Sequence, residues 1–196
     1  MVILKKKIIL ASKSQSRIKL MRSFGLDFDI VPSTIDETKV LFISELKKAK
    51  DIALAKAIAV ANLFPLSIII AADTYCVVND QILEKPKNLK EAKEMLKMQS
   101  GQKVICQTGF CYLDGYNNFE VSKLISTEMN FRKISEREIE QYIFKYPVLE
   151  WSAAYHPDNV EGASFLKSVS GSFTSFFYGL PIEELVACLE KSDIEI

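Results

Sequence analysis

The sequence predicts an α/β or α+β fold built on a mixed β-sheet. Three observations predict it: apolar runs of strand length alternate with segments of helical periodicity, two hairpin signals interrupt that alternation, and no repeat or low-complexity linker divides the chain. With 196 residues, the chain is long enough for one well-buried core and too short for two ordinary independent domains. We therefore expect a single domain over residues 1–196.

The first part of the chain is predicted to be a βαβ-type unit followed by a long helix. Lys7–Leu10 is a β-rich apolar run, and Arg17–Phe24 places its apolar side chains near one helical face. Gly25 ends that helix, and Phe28–Val31 alternates as a second short strand. The Ala-rich segment Ser44–Leu63 then has helical spacing.

The middle of the chain is predicted to hold a buried strand and a hairpin. Ile68–Ala71 is continuously apolar and rich in β-branched residues, which is typical of a strand covered on both faces. Asp73 is expected at its C-terminal end. Tyr75–Val78 and Gln81–Leu83 flank Asn79-Asp80, which predicts a tight turn between two strands.

The remaining elements complete the alternation of helices and strands. Asp114-Gly115 predicts a second hairpin, and Pro181 can begin the last helix. The predicted helices are Lys90–Met98, Glu136–Tyr146 and Ile182–Lys191, and the predicted strands are Val104–Leu113, Phe119–Phe131 and a strand around Gly162–Val169.

The composition argues against several classes of function. Lys and Arg number 25 and Asp and Glu number 25, so no net field favours duplex nucleic acid or an acidic membrane. The apolar segments Ile8–Ala11 and Ser67–Ala72 are far shorter than the roughly 20 residues of a membrane span, and the first is also too short for a signal-peptide core. The four cysteines lack a spacing suited to zinc, so we expect reduced thiols and a cytoplasmic location.

The turn between the first strand and the first helix is a candidate phosphate-binding segment. Ser12, Ser14 and Ser16 are small enough to let the backbone approach a phosphate, to which helix N-terminal amides donate. Lys13 and Arg17 add positive charge. Serines before a helix are also ordinary N-caps, and from the local pattern capping is the more common explanation.

Carboxylates and lysines elsewhere could complete such a site. A carboxylate such as Asp73, after a buried strand, can bind magnesium or accept a proton from water, although an Asp that caps a turn has the same pattern. Asp36 and Glu37 offer two adjacent carboxylates, enough for a hard divalent ion with its waters; a solvated acidic loop is an equally good explanation. Lys56 and Lys85 are candidate cations, but position alone does not distinguish them from surface lysines.

Taken in order, these short motifs resemble the Maf family of nucleotide pyrophosphatases. The matching segments are Leu10-Ala11-Ser12-Lys13-Ser14, Asp36-Glu37, Lys56-Ala57, Ala72-Asp73-Thr74, Lys85-Pro86, Ser100-Gly101 and Gly179-Leu180-Pro181. They cover nearly the whole chain, and the ordered set is far more specific than any member. The resemblance implies an elongated, twisted mixed β-sheet flanked by helices, with two lobes and a cleft between them, as in inosine triphosphatase-like proteins.

The resemblance also implies an activity and a set of site residues. The activity is hydrolysis of a modified or pyrimidine nucleoside triphosphate to the monophosphate and pyrophosphate, in a cytoplasmic house-cleaning role historically linked to septum formation. Asp73 would be the general base, and Asp36, Glu37 and Asp73 would hold a divalent cation, Mg²⁺ or Mn²⁺. A homodimer is compatible with the family. The implied substrate-binding residues are Ser12, Ser14, Ser16, Arg17, Lys56, Thr74, Lys85 and Glu161.

Three positions leave the base preference open. The family's Pro-Arg-Arg is here Gln15-Ser16-Arg17. Thr74 resembles the branch that takes dTTP and UTP, whereas Glu161 resembles the branch acting on 7-methyl-GTP; a carboxylate favours a base that presents N–H donors, as guanine does. Two other functions are weighed beside the enzyme: a nucleotide-binding regulatory protein of cell division with little turnover, and an α/β domain whose polar turns are merely caps.

Overall fold

A seven-stranded mixed β-sheet flanked by helices organises the computed structural model, which describes residues 6–42 and 44–195. The strand order is β2-β1-β3-β5-β6-β7, with β4 paired to β3 outside this path. Strand β1 runs parallel to β2 and β3, while β4 is antiparallel to β3 and β7 is antiparallel to β6. The predicted mixed sheet is confirmed. The strands are β1 (Ile8–Leu10), β2 (Asp29–Ile30), β3 (Ile68–Val78), β4 (Gln81–Leu83), β5 (Lys103–Asp114), β6 (Phe119–Phe131) and β7 (Leu166–Ser170).

The predicted helices are present in the predicted order, together with two short helices, Val160–Ser164 and Phe173–Tyr178, that were not predicted. Asn88 caps α3 through its side chain, and Ser135 and Glu138 form a capping box at the start of α4. No helix in the described ranges has the length and apolar character needed to cross a membrane. The helices are α1 (Gln15–Ser23), α2 (Lys48–Ala61), α3 (Leu89–Gln99), α4 (Glu136–Lys145), α5 (Val160–Ser164), α6 (Phe173–Tyr178) and α7 (Ile182–Lys191).

Strand β3 corrects one prediction. The two expected strands, Ile68–Ala71 and Tyr75–Val78, are one continuous strand of 11 residues, so Asp73 lies inside it and not at its end. Both flanking runs are buried, and the half-buried pair Asp73 and Thr74 keeps the extended backbone between them. The predicted turn at Asn79-Asp80 is present, with φ of 48° and 60°, the left-handed conformation that a two-residue hairpin loop requires.

The segment before β7 corrects a second prediction. Residues 162–164 were expected to be extended, but they belong to helix α5. Asn159 explains the difference, because its side-chain oxygen accepts a hydrogen bond from the Gly162 N–H at 2.7 Å and caps a helix there. The strand therefore begins only at Leu166.

The chain divides into two compact units, with boundaries that fall near the middle of β3, β5 and β6. In the first unit, alternate residues of β1 and β3 enter two apolar clusters. Ile8 and Ile70 pack with α1 and α7, and Ile9 and Ile69 pack with α2. This is the period of two of an extended strand covered on both faces. The first unit comprises Met1–Asp73, Thr108–Ile125 and Tyr178–Ile196, and the second comprises Thr74–Gln107 and Ser126–Phe177.

Helix α2 lies directly against strand β5 in the first unit. A Cβ atom added to Gly109 would stand 2.0 Å from the carbonyl oxygen of Ala49, which is a forbidden distance. Only glycine therefore fits at this position, and the backbones of the helix and the strand are in direct contact.

The second unit has an apolar core of its own. Leu96 of α3, Ile139 and Tyr142 of α4 and Phe131 of β6 are buried together. The Tyr142 ring lies 5.1 Å from the ring of Phe165, a distance typical of aromatic pairs in protein cores. The amphipathic pattern that predicts α3 and α4 therefore places their apolar faces in this core.

Candidate active site

Three predicted site residues of the first unit meet around one ammonium group. The Nζ atom of Lys56 lies 2.7 Å from Oδ1 of Asp73 and 2.9 Å from Oε1 of Glu37. The side chains of Lys56 and Asp73 are largely covered, at 14% and 17% exposed, whereas Glu37 is half exposed. The two carboxylates thus share a single cation in a partly desolvated position.

Helix and strand periodicity bring this cluster together. On β3, Ile69 and Ala71 face α2, and Asp73 continues their alternation. On α2, Ala53 and Ala57 pack against that face of the sheet, and Lys56 lies between them in sequence. The small alanine side chains leave room for a lysine stem to run along the apolar surface toward Asp73.

Asp36 is held differently from its neighbour Glu37. Its Oδ1 accepts hydrogen bonds from the backbone N–H of Thr38 at 3.1 Å and from the Thr38 hydroxyl at 2.6 Å, and its Oδ2 lies 3.3 Å from Nζ of Lys39. These contacts, with the Thr38 hydroxyl as the largest contribution, lower the pKa of Asp36 below its usual value. Asp36 is therefore the N-cap of its own short turn, as the solvated-loop alternative describes.

Arg17 connects the serine turn to the strand that carries Asp73. Its side chain is buried at 8% exposed, and Nη1 donates to the carbonyl of Ala72 at 2.7 Å and to the hydroxyl of Ser12 at 3.2 Å. Its Nε donates to the carbonyl of Gly179 at 2.9 Å. The resemblance implies that Arg17 binds the triphosphate, but in the structure these donors bind the protein itself, next to Asp73.

The start of α1 lacks the side-chain hydrogen bond that the capping explanation predicts. Ser14 occupies the N-cap position with an extended backbone, but its hydroxyl makes no capping hydrogen bond. Ser16 follows in the first turn, which contains no acidic residue to neutralise the positive end of the helix dipole. The buried Ser12 hydroxyl accepts from the Ser14 N–H at 3.2 Å, which fixes the turn.

The other predicted site residues lie in the second unit. Thr74 follows Asp73 on β3, and its carbonyl accepts from the Ser152 hydroxyl at 2.9 Å. Lys85 is exposed in the segment after β4.

Glu161, at the start of α5, has both carboxylate oxygens engaged. Oε1 accepts from Nζ of Lys145, and Oε2 accepts from the hydroxyl of Tyr146 at 2.6 Å. Lys145, and to a lesser degree Tyr146, lowers the pKa of Glu161 to about 2. The carboxylate is therefore ionised at neutral pH and already has two partners.

Two of the three carboxylates predicted to hold a metal, Glu37 and Asp73, lie close together, and the third, Asp36, does not join them. Within residues 6–42 and 44–195, no group of three or more His, Cys, Asp or Glu side chains converges as a metal site would. Glu37 and Asp73 do converge, on Lys56, and Asp36 turns to Thr38 and Lys39. Two carboxylates are a donor set that a hard divalent ion accepts when waters and phosphate oxygens complete its coordination.

Sequence reasoning missed the partners that hold these groups. Arg17 donates hydrogen bonds to the carbonyl oxygens of Ala72 and Gly179, and the sequence gives no sign of which carbonyl a buried guanidinium reaches. Lys145 and Tyr146 at the end of α4 bind Glu161, 15 or 16 residues away along the chain. In both cases the fold, and no local pattern, determines the contact.

Comparison with known proteins places the chain in a family. The family model described as Maf-like protein matches residues 7–192. A dTTP/UTP pyrophosphatase of Clostridium perfringens is 35% identical over 97% of this chain and 99% of the relative, and one of Pyrococcus furiosus is 36% identical over 94% and 95%. The structure of the Staphylococcus aureus Ham1 protein has a similar fold, with a TM-score of 0.53 and 16% identity over 95% of this chain and 100% of that chain. The resemblance inferred from the ordered motifs is thus confirmed, and the chain belongs to the Maf family.

Proposed function

We propose that the chain hydrolyses a pyrimidine nucleoside triphosphate to the monophosphate and pyrophosphate, as a cytoplasmic enzyme that uses Mg²⁺ or Mn²⁺. The observation that carries the proposal is the convergence of Glu37, Lys56 and Asp73, three positions that the family motifs pick out. The names of the relatives, dTTP/UTP pyrophosphatases at 33–36% identity, support the reaction and the substrate.

Glu37 and Asp73 are the residues that would hold the divalent ion. Their carboxylate oxygens are hard donors, and the position between them already accommodates a positive charge. An ion bound there would neutralise charge on phosphate oxygens and lower the pKa of a bound water. The oxygens of Asp36 are engaged by Thr38 and Lys39, so we do not assign Asp36 to the ion.

Asp73 is the group we assign as general base. Its carboxylate accepts a proton from water as the water oxygen bonds to the α-phosphorus, and the bond from that phosphorus to the bridging oxygen breaks, so that pyrophosphate leaves. The N-terminus of α1, with Ser14 at its N-cap, offers donors to phosphate oxygens. Lys56 supplies positive charge beside the developing negative charge, and this electrostatic stabilisation is the main contribution expected in such a site.

The base preference follows from the state of Glu161. Its two carboxylate oxygens already accept hydrogen bonds from Lys145 and Tyr146, so the N–H donors of guanine would have to share these oxygens with both partners. We therefore favour a pyrimidine base. Thr74, which resembles the dTTP and UTP branch in sequence, agrees with this preference.

Release of pyrophosphate tests the proposal. Wild type would be assayed with dTTP, UTP, CTP, ATP, GTP and 7-methyl-GTP in the presence of Mg²⁺ or Mn²⁺, and we expect dTTP and UTP to have the highest kcat/KM. Glu161→Gln should keep this order of kcat/KM values. If the variant instead loses kcat/KM for guanine substrates relative to the other substrates, Glu161 takes part in base selection. Tight nucleotide binding without turnover would instead support the regulatory function linked to septum formation.

Asp73→Asn gives the sharpest single test. Loss of a general base should lower kcat by about 10²–10⁴-fold, while the fold and most triphosphate binding persist. Asp29→Asn is a matched control, since Asp29 is also a strand aspartate paired with a lysine, at 2.9 Å from Nζ of Lys7, but is exposed. An Asp73→Asn variant with normal turnover would mean that another group is the base.

A further inference from the structure

Lys56 holds the position that a divalent ion would need. Its Nζ contacts Asp73 Oδ1 at 2.7 Å and Glu37 Oε1 at 2.9 Å, and its side chain is only 14% exposed. An ammonium has three N–H donors, and two of them are accounted for by these carboxylates. The lysine is thus the cation already present where the two acids meet.

The charge of Lys56 affects how a second cation can bind to Glu37 and Asp73. Two carboxylates brought together repel each other, and in a partly buried position the repulsion is stronger than in water. Lys56 cancels that repulsion while no other cation is bound. A divalent ion that binds the same two oxygens, Asp73 Oδ1 and Glu37 Oε1, would lie within a few ångströms of the ammonium, and the repulsion between the two cations makes them competitors for this position.

We propose that Lys56 is an internal counter-cation that competes with the divalent ion for Glu37 and Asp73, so that metal binds weakly until a triphosphate arrives. The inference rests on the proposed function. A triphosphate brings several negative charges, which gives the displaced ammonium a new partner. The flexible four-carbon stem of lysine allows such an exchange without movement of α2. Metal and nucleotide should consequently bind with positive cooperativity, and each should raise the affinity for the other by the same factor.

Titration with Mn²⁺ in the absence of nucleotide tests the competition directly. The free ion is followed by electron paramagnetic resonance for wild type, Lys56→Met and Lys56→Arg. Lys56→Met should bind Mn²⁺ more tightly than wild type, within the roughly 5- to 150-fold range of typical coupling, whereas Lys56→Arg keeps the charge and should stay weak. Lys48→Met is the matched control, since Lys48 is also on α2, is 15% exposed and pairs with Glu45 at 3.6 Å.

A second titration adds nucleotide to wild type and to Lys56→Met. Addition of a non-hydrolysable UTP analogue should raise the Mn²⁺ affinity of wild type by a comparable factor and should raise that of Lys56→Met much less. Equal or weaker Mn²⁺ affinity in a folded Lys56→Met, or no effect of the analogue on wild type, overturns the inference. If either of these results is found and wild type still releases pyrophosphate, the inference about Lys56 is wrong and the proposed function stands. If wild type releases no pyrophosphate, the proposed function itself is wrong.

Discussion

Asp73 gains its position from being inside a strand. Ala72, one residue before it, and Tyr75, two residues after it, are buried, and the strand continues for five residues beyond it. The carbonyl of Ala72 is bound by Arg17, so a side chain from α1 holds the backbone one residue before the carboxylate. Asp73 is therefore fixed by its own strand and by a guanidinium that binds the carbonyl of the preceding residue.

Arg17 should act on turnover through this contact. Arg17→Gln removes donors to Ala72 and Gly179, and a carboxylate displaced by about 1 Å can cost about 10²-fold in rate, so we expect kcat to fall by that order with a small change in KM. Arg17→Lys keeps the charge but not the fork of donors and should recover little activity. Steady-state pyrophosphate release measures both constants, with the exposed Arg22→Gln on α1 as the control. A rise in KM alone would mean that Arg17 binds the triphosphate.

At the scale of elements, α4 shows how a helix start is fixed. The Ser135 hydroxyl accepts from the Glu138 N–H, and the Glu138 carboxylate accepts from the Ser135 N–H at 2.8 Å. Nη2 of Arg132, at the end of β6, donates to the same carboxylate at 2.7 Å. A single glutamate thus ties the cap of α4 to the preceding strand.

This arrangement makes part of the stability depend on pH. Arg132, and then Ser135, lowers the pKa of Glu138 from 4.5 to about 2. Since the folded state favours the ionised form, the stabilisation is present above pH 4.5 and is lost as the pH falls toward 2. The melting temperature of wild type should exceed that of Glu138→Gln at pH 6, and the difference should vanish near pH 2. A difference that is independent of pH would show that charge on Glu138 is irrelevant to it.

At the scale of the whole molecule, the four cysteines are buried and form no disulfide among the described residues. Burial raises the pKa of the Cys111 thiol to about 12 and that of Cys188 to about 11, and the neighbouring Cys106 thiol raises the pKa of Cys76 as well. Because the thiolate is the reactive form, native protein should react slowly with Ellman's reagent and should release all four equivalents only in denaturant. Rapid reaction of any thiol in native conditions would contradict the described burial.

The alternation of helices and strands could be read from periodicity because apolar faces determine it. Helix α7 has the predicted bounds, Ile182–Lys191, since its pattern and Pro181 agree. Two errors arose where local and long-range forces differ: β3 continues through Asp73 because its neighbouring strands support it, and Asn159 starts a helix where a strand was expected. Ordered motifs identified Glu37, Lys56 and Asp73, but only the packing of α2 on the sheet reveals their shared ion pair.

The absence of a side chain at Gly109 has a consequence for this ion pair. Ala49 of α2 rests on the strand at that point, and Lys56 lies two turns further along the same helix. The missing methyl group therefore sets the height of the helix above the sheet, and with it the reach required of the lysine. A methyl group at Gly109 would push the Ala49 end of α2 away from the sheet. The distance between the charges of Lys56 and Asp73 therefore depends on the absence of a side chain at Gly109.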